Sequence, residues 1–403
     1  MTIILDKTIC VIGLGYIGLP TGAVLASRGY NVHGVEVDPK AVEIINSGKS
    51  HVIEPDLDLL VQASVQTGKL KAHSAPTEAD IFMICVPTPV TEANGPDLSY
   101  VRSATETICP FLCKGNLVIL ESTCPPGTTE MIAEIVREKT GLTSDDLRFA
   151  HAPERVLPGR ILRELVENDR IIGGINEAST EAAAEFFSTF VTGELLLCHC
   201  RMAETAKLVE NSFRDVNIAL ANELSMICDD LQLDVRELIR IASRHPRVNI
   251  LQPGCGVGGH CIAVDPWFLI HECPDKTTLI RAAREVNNRK PEYVIEKVRA
   301  RAERFKHPTI ACFGLSYKPD IDDLRESPAL KITRALIEQQ VGEILVVEPN
   351  IPDVEGMTLV SIDEAIERGD ILVMLVAHSP FKKIQHPNLA EKIIIDTCGA
   401  LGS

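Results

Sequence analysis

No apolar run in this sequence reaches the roughly 18 residues needed to cross a bilayer, so no membrane-spanning helix is expected. Positive charge is short as well. Forty Lys and Arg stand against 56 Asp and Glu, a net charge of −16, which argues against a nucleic-acid or acidic-membrane surface. An anionic ligand must therefore be met by locally placed Arg and Lys. The opening "MTIILDKTICVIGLG" lacks the basic region and cleavage site of a secretory signal; it reads as the first strand of a domain, and the expected location is the cytoplasm. There is no tandem repeat and no low-complexity tract. Zinc chemistry lacks its donors: Cys198-His199-Cys200 has no second Cys or His pair at zinc-site spacing, so no metal is expected. The thirteen cysteines are odd in number and scattered, which favours free thiols in a reducing compartment, and Cys10, Cys85 and Cys312 read as small core residues in apolar runs.

What is present is a soluble α/β pattern, 45% hydrophobic and 24% charged over 403 residues, enough for two or three domains. "TICVIGL" (8–14) and "NVHGVEV" (31–37) read as strands flanking a helix from about Ile17 to Arg28. "ADIFMICVP" (79–87) and "NLVILEST" (116–123) continue as the third and fourth strands, predicting a parallel, doubly wound sheet over residues 1–197. From Met202 to Leu231 one helical pattern runs without Gly or Pro, and more helix follows to about residue 304. A long, partly apolar helix between two domains commonly packs against another subunit, so a homodimer or dimer-based oligomer is expected. At Thr309 strands return ("TIACFGL", "EILVVEP", "DILVMLV", "KIIIDTC") and build a second α/β domain, 305–403. The fold class is thus α/β, with two Rossmann-like domains joined by a central helical domain, 198–304. The second domain has one glycine in "GLSYKPD" where a dinucleotide fingerprint needs three, so its ligand is held differently.

"GLGYIG" places Gly13, Gly15 and Gly18 at a strand-to-helix turn, for a tight turn, pyrophosphate approach and close helix packing respectively. An acid ends the next strand: Glu36, with Asp38 as the alternative. It bonds a ribose and repels a 2′-phosphate, favouring NAD over NADP. Thr88 and Thr123 stand at strand ends where the nicotinamide half would lie. "HAPERVLPGR" gathers Glu154, Arg155 and Arg160 in a proline-bounded loop. Lys207, Asn211 and Arg214 share one helix face, a solvated stripe or a group aimed at a developing oxyanion. Arg244, His245 and Arg247 form a small basic cluster, and Lys318 and Arg325 lie at the first β–α junction of the last domain, with Ser327 as a cap before Pro328. In "PGCGVGGHCIAVDPW" (253–267) a thiol has little side chain around it; nucleophile, metal ligand, a Cys255–Cys261 disulfide and small core residue all remain open.

Taken together, "GLGYIGLP", "PERVLPG", "AETAKLVENSFRDVN", "GVGGHCIAVDP" and "YKPDIDDLRESP", in this order, resemble the UDP-sugar 6-dehydrogenase family over essentially the whole chain. "RHPRVNILQPG" and "HCIAVDPWF" look closest to bacterial members acting on UDP-N-acetyl-D-mannosamine. The resemblance implies an NAD-dependent four-electron oxidation of the sugar C6 alcohol to a carboxylate, with UDP-GlcNAc, UDP-GalNAc or UDP-glucose as alternative substrates. By similarity Cys261 is the nucleophile, forming a thiohemiacetal and then a thioester. Asp265 and Glu154 are candidate bases for the hydrolytic water, and Lys207 with Asn211 stabilises the oxyanion. Arg155, Val156, Lys207, Asn211, Arg214, His245, Arg247, Gly258, Lys318 and Arg325 match substrate positions, and Tyr16, Ile17, Glu36, Thr88 and Thr123 match cofactor positions. Val264 stands where UDP-glucose enzymes carry Lys, and His260 where many carry Ser, which suits a 2-acetamido sugar. Cys255 replaces an expected Pro, so its thiol reads as incidental.

Overall fold

The structure, a computed structural model, describes residues 7–401, so Met1–Asp6 of the expected first strand lie outside the described residues. The chain falls into two compact units: residues up to Val209 with Trp267–Glu272, and Glu210–Pro266 with the chain from Cys273 onward. The division passes through a 32-residue helix, Cys200–Leu231, which rises about 48 Å.

The first unit is built on eight strands: β1 (Thr8–Ile12), β2 (Asn31–Val35), β3 (Leu70–His73), β4 (Ile81–Ile84), β5 (Leu117–Leu120), β6 (Arg148–His151), β7 (Arg170–Gly174) and β8 (Leu195–His199), in the order 3-2-1-4-5-6-7-8. Ile9, Val11, Met83 and Ile119 face one apolar cluster while Cys10, Ile12, Phe82 and Val118 face another. This alternation between two dry faces is the mark of a sheet covered by helices on both sides.

Two expectations need correction. Strand β3 was missed because "LKAH" alternates over just four residues, so the loops after Ile84 and Leu120 follow the fourth and fifth strands. The sheet is also not wholly parallel: β7 pairs antiparallel to β6, through Ala150↔Gly174 and His151↔Gly173. Pro153 and Pro158 break the connection into loop and leave a two-turn helix, Ile161–Glu167, so the chain enters β7 from the end at which it left β6.

The second unit carries four parallel strands, β9 (Thr309–Phe313), β10 (Glu343–Val347), β11 (Ile371–Met374) and β12 (Ile393–Asp396), in the order 10-9-11-12. Val294, Ile295 and Val298 of the helix Thr278–Ala302 pack on one of its faces with Ile310 and Cys312. The same helix is fastened to the long helix by polar contacts. Arg284 NH1 donates to Asp215 Oδ1 (2.6 Å), Asn287 Nδ2 donates to the same oxygen (2.8 Å), and Tyr293 donates to Asp229 (2.7 Å). Asp215 is one turn beyond Asn211, so the two buried bonds it accepts from Arg284 and Asn287 fix the part of the helix that carries a candidate site residue. Among the described residues no disulfide is formed, and no helix is long and apolar enough to cross a membrane. Cys255 is 4% exposed and packs into the core, where burial pushes its thiol up to about 12.

Candidate active site

In the first unit the β1 turn takes the shape a dinucleotide requires. Gly13 has φ +89°, and a Cβ on Gly18 would stand 1.8 Å from the Gly13 carbonyl oxygen, so both positions need glycine. A Cβ on Gly15 would meet nothing within 4 Å, which leaves the backbone open to a ligand. Glu36, half-buried at the end of β2, accepts a hydrogen bond from the Leu14 N–H (3.1 Å) and from its own strand end at Val37 (2.8 Å). Asp38 is occupied otherwise: it caps the helix Pro39–Asn46 through Lys40 N–H. Ile17 precedes the helix Gly18–Ser27, and Tyr16 is 40% exposed beside it. Thr88 Oγ1 donates to the Thr123 carbonyl (2.6 Å), so the β4 and β5 loops are brought together.

Behind this cradle lies a group of buried charges. Arg170 NH2 donates to Glu121 Oε1 at 2.5 Å with both side chains at most 1% exposed, and Phe187 packs under the guanidinium at 5.1 Å. Burial pushes the Glu154 carboxyl up to about 7, against the opposing pull of the Lys207 and Arg170 charges. Burial, with those same two charges, pulls His151 down to about 3, so its imidazole is neutral. Val156 packs on the sheet's core, and Arg155 NH1 donates to the Asp169 carbonyl (3.0 Å). Glu121 and Arg170 carried no signal beyond an acid in "ESTC" and a basic residue opening a strand.

Because the folded value of Glu154 exceeds the ordinary 4.5, this group's stabilising contribution is complete below about pH 4.5 and is lost as pH rises through about 7. Glu154→Gln is therefore expected to raise the melting temperature relative to the parent by roughly 4 °C at pH 8 and by little at pH 5. Parallel thermal melts at the two pH values decide it; an equal difference at both would refute the raised value.

In the second unit Cys261 is exposed and opens a tight turn: the N–H groups of Val264 (3.1 Å) and Asp265 (2.9 Å) donate to its carbonyl. Asp265 is 4% exposed, and Asn211 Nδ2 donates to its Oδ2 at 2.5 Å. Asn222 Oδ1 accepts from Gly254 N–H (2.9 Å) and so ties the loop to the long helix. The loop's glycines do more than leave space. A Cβ on Gly258 would lie 2.4 Å from the Glu326 carbonyl, and one on Gly259 2.7 Å from the Tyr317 ring, so they let the thiol loop close on the loop after β9. There Arg325 grips Asp323 (Nε–Oδ1 2.9 Å); burial pushes that carboxyl up, but the guanidinium outweighs it and holds it below the usual range. Burial and the Arg325 charge lower His260. Lys318 is half-buried, whereas Arg214, Arg244, His245 and Arg247 are exposed, and Arg247 N–H donates to His245 Nδ1 (3.3 Å). Asp323 was missed because three acids in "DIDD" look alike in sequence.

At Cys198–Cys200 the fold adds Glu130, bringing it within 4.8 Å of His199 and Cys200 donor atoms. Arg201 Nε already donates to Glu130 (2.6 Å), and burial pushes the Cys200 thiol up to about 12.

Three family models match the chain: the NAD binding domain of the UDP-glucose/GDP-mannose dehydrogenase family over residues 7–191, its central domain over 201–289 and its UDP binding domain over 311–403. The NDP-N-acetyl-D-galactosaminuronic acid dehydrogenase of Ralstonia solanacearum is 53% identical over 98% of this chain and 96% of its own. The UDP-N-acetyl-D-mannosamine dehydrogenase of Campylobacter jejuni is 51% identical over 94% and 97%. The solved UDP-D-ManNAc dehydrogenase of Pyrococcus horikoshii superposes with a TM-score of 0.91 at 40% identity, over 98% of this chain and 96% of that one.

Proposed function

Since the chain belongs to the UDP-glucose/GDP-mannose dehydrogenase family, whose NAD-dependent oxidoreductase fold it shares, we propose that it oxidises the C6 alcohol of UDP-N-acetyl-D-mannosamine to the carboxylate in two steps. The observation that carries this reading is the turn in which exposed Cys261 and buried Asp265 share a hydrogen bond while Asn211 holds the acid.

NAD, when bound, would supply the hydride acceptor for both oxidations at C6. The open backbone at Gly15, the tight turn at Gly13 and Gly18, and the Glu36 carboxylate on that turn fit such a group, with Tyr16, Ile17, Thr88 and Thr123 beside it. Cys261 Sγ adds to the aldehyde carbon, which keeps the half-oxidised sugar from escaping as a thiohemiacetal and, after the second oxidation, holds it as a thioester. Water then cleaves the C–S bond, giving the carboxylate and returning the thiol. Glu154, with a value near neutral, takes the water's proton, and Asp265 serves the thiol side. The Lys207 ammonium and Asn211 amide stabilise the oxyanion that forms at the carbonyl. Arg155, Val156, Arg214, His245, Arg247, Gly258, Lys318 and Arg325 are assigned to binding the UDP-sugar in this reading.

The proposed division is an NAD-binding part (1–197), a central helical part (198–304) and a UDP-sugar part (305–403), working in the cytoplasm. Phe213, Leu220 and Ile227 recur every seven residues along the long helix, with Leu231 one turn on, and all are between 45 and 65% exposed. Such a stripe fits a second copy of the chain, and light scattering at twice the chain mass is expected; a monomer would dismiss it.

NADH counted per sugar across UDP-ManNAc, UDP-GlcNAc, UDP-GalNAc and UDP-glucose tests the function. Two NADH per molecule with UDP-ManNAc is the expected result, and one NADH rules out the four-electron account. The Ralstonia relative's name keeps UDP-GalNAc as the competing substrate.

A further inference from the structure

The second sheet repeats a device of the first and then closes it. Gly314, after β9, has φ +91° as Gly13 has +89° after β1. The following N–H, of Leu315, donates to the carboxylate of Glu348 (2.7 Å) at the end of β10, as Leu14 donates to Glu36. Glu36 is half-buried, but Glu348 is 7% exposed and its Oε2 also faces Ser316 N–H (3.2 Å) and the ring of His378 (Nε2, 3.2 Å). His378 is fully buried.

The tautomer of His378 follows from its partners. Its Nδ1 is met by the backbone N–H of Asp320 (2.9 Å) and by the side-chain amide of Asn350 (2.9 Å), and a backbone N–H can only donate. Nδ1 is therefore the acceptor, and Nε2 carries the hydrogen toward Glu348. Burial raises the Glu348 carboxyl, but the bonds from His378, Leu315 and Asn350 outweigh it and hold the group below its ordinary value, so it remains an acceptor. The next residue completes a clamp: Ser379 donates to Asp320 through both its N–H (2.7 Å) and its hydroxyl (2.6 Å). Asp320 itself has φ +61°, a backbone shape that these three bonds keep in place. Ser316 Oγ, 3.3 Å from His378 Nε2, donates to the Lys318 carbonyl (2.8 Å).

We propose that His378 is a positioning residue for the loop 316–325: by joining buried Glu348 to the Asp320 backbone, its imidazole closes the acid that would otherwise face a ribose and holds Lys318 in place for the UDP-sugar. This rests on the reading of that loop as the UDP-sugar site. Asp320, Glu348, Asn350 and Ser379 act through the same contact, and none of the five is in the set assigned to chemistry.

The test compares full-length protein with His378→Leu, His378→Gln and Ser379→Ala, by steady-state kinetics and by amide exchange of residues 316–325 with and without UDP. In His378→Leu the KM for the UDP-sugar is expected to rise about tenfold or more, with kcat within about twofold and the KM for NAD unchanged. His378→Gln, which can still accept from Asp320 and donate to Glu348, restores most of the loss. Ser379→Ala, a milder change should the Leu variant not fold, raises the same KM about threefold. Loop exchange equal in parent and both weakened variants, or a kcat that falls in step with affinity for NAD, overturns the role of His378. A parent loop that UDP does not protect overturns the substrate-site reading instead, and the exchange comparison without UDP still judges the histidine.

Discussion

Cys261→Ala is expected to form carboxylate at least ~10³-fold more slowly than the parent while binding NAD with unchanged affinity. In the proposed mechanism the thiol keeps the aldehyde covalently on the protein, and alanine leaves nothing to add to the carbonyl. The proposed cofactor cradle consists of Gly13, Gly15, Gly18 and Glu36, none of which belongs to the thiol's turn, so fluorescence titration with NADH should give the parent's Kd. The variant is expected to release aldehyde after one NADH per sugar, which a hydrazine trap can collect. Parent-like formation of the uronate with two NADH would sink the covalent mechanism. The backbone of the turn depends on the Cys261 carbonyl, which alanine retains, so a folding defect is not an alternative outcome.

The second large effect concerns stability. Arg170→Met leaves the Glu121 carboxylate fully buried with Cys85 Sγ at 3.2 Å and Thr21 Oγ1 at 3.5 Å, neither of which replaces a guanidinium. Stranding one member of a buried pair costs about 3–5 kcal/mol. For a unit of this size that lowers the melting temperature by on the order of 10 °C. The double variant Arg170→Met/Glu121→Gln removes the stranded charge and should recover most of the loss. A single variant that melts with the parent would show the pair to be dispensable. The change also reaches the proposed base: Arg170 is one of two charges pulling the Glu154 carboxyl down, so with Glu154 as that base the rise of activity with pH is expected to move above about 7 in Arg170→Met.

The long-range order of this fold was legible where sequence periodicity was long. The helix Cys200–Leu231 differs from the pattern Met202–Leu231 by two residues, because no Gly or Pro interrupts it. The β1 glycines were readable because each has a separate steric reason. What was not legible depends on contacts distant in sequence. Four residues of β3 carry too little alternation to be seen, and the reversal at β7 depends on how the loop after Glu154 folds back. Asn211 beside Asp265 was visible as two family positions, but not as a bonded pair 54 residues apart. In sequence the loop glycines show only that a thiol has little side chain around it; their contacts with Tyr317 and Glu326 come from a segment some sixty residues later. His378 lay in an unremarked "AHSPFK", since nothing nearby in sequence announces its acid at Glu348.

The reversed strand also bears on how the first sheet comes apart. β7 meets β6 through two registered pairs but meets β8 through five. The ladder is thus divided into a block of six strands and a block of two, with the thin join between them. Across that join runs the ion pair, since Arg170 begins β7 and Glu121 follows β5. Opening by parts rather than as a whole is expected to start there, with β7 and β8 leaving as one cooperative element. Native-state amide exchange should then show Ile171–Gly174 and Leu196–His199 sharing one opening free energy below that of Val11 and Met83, and a common value for all four would make the sheet a single unit.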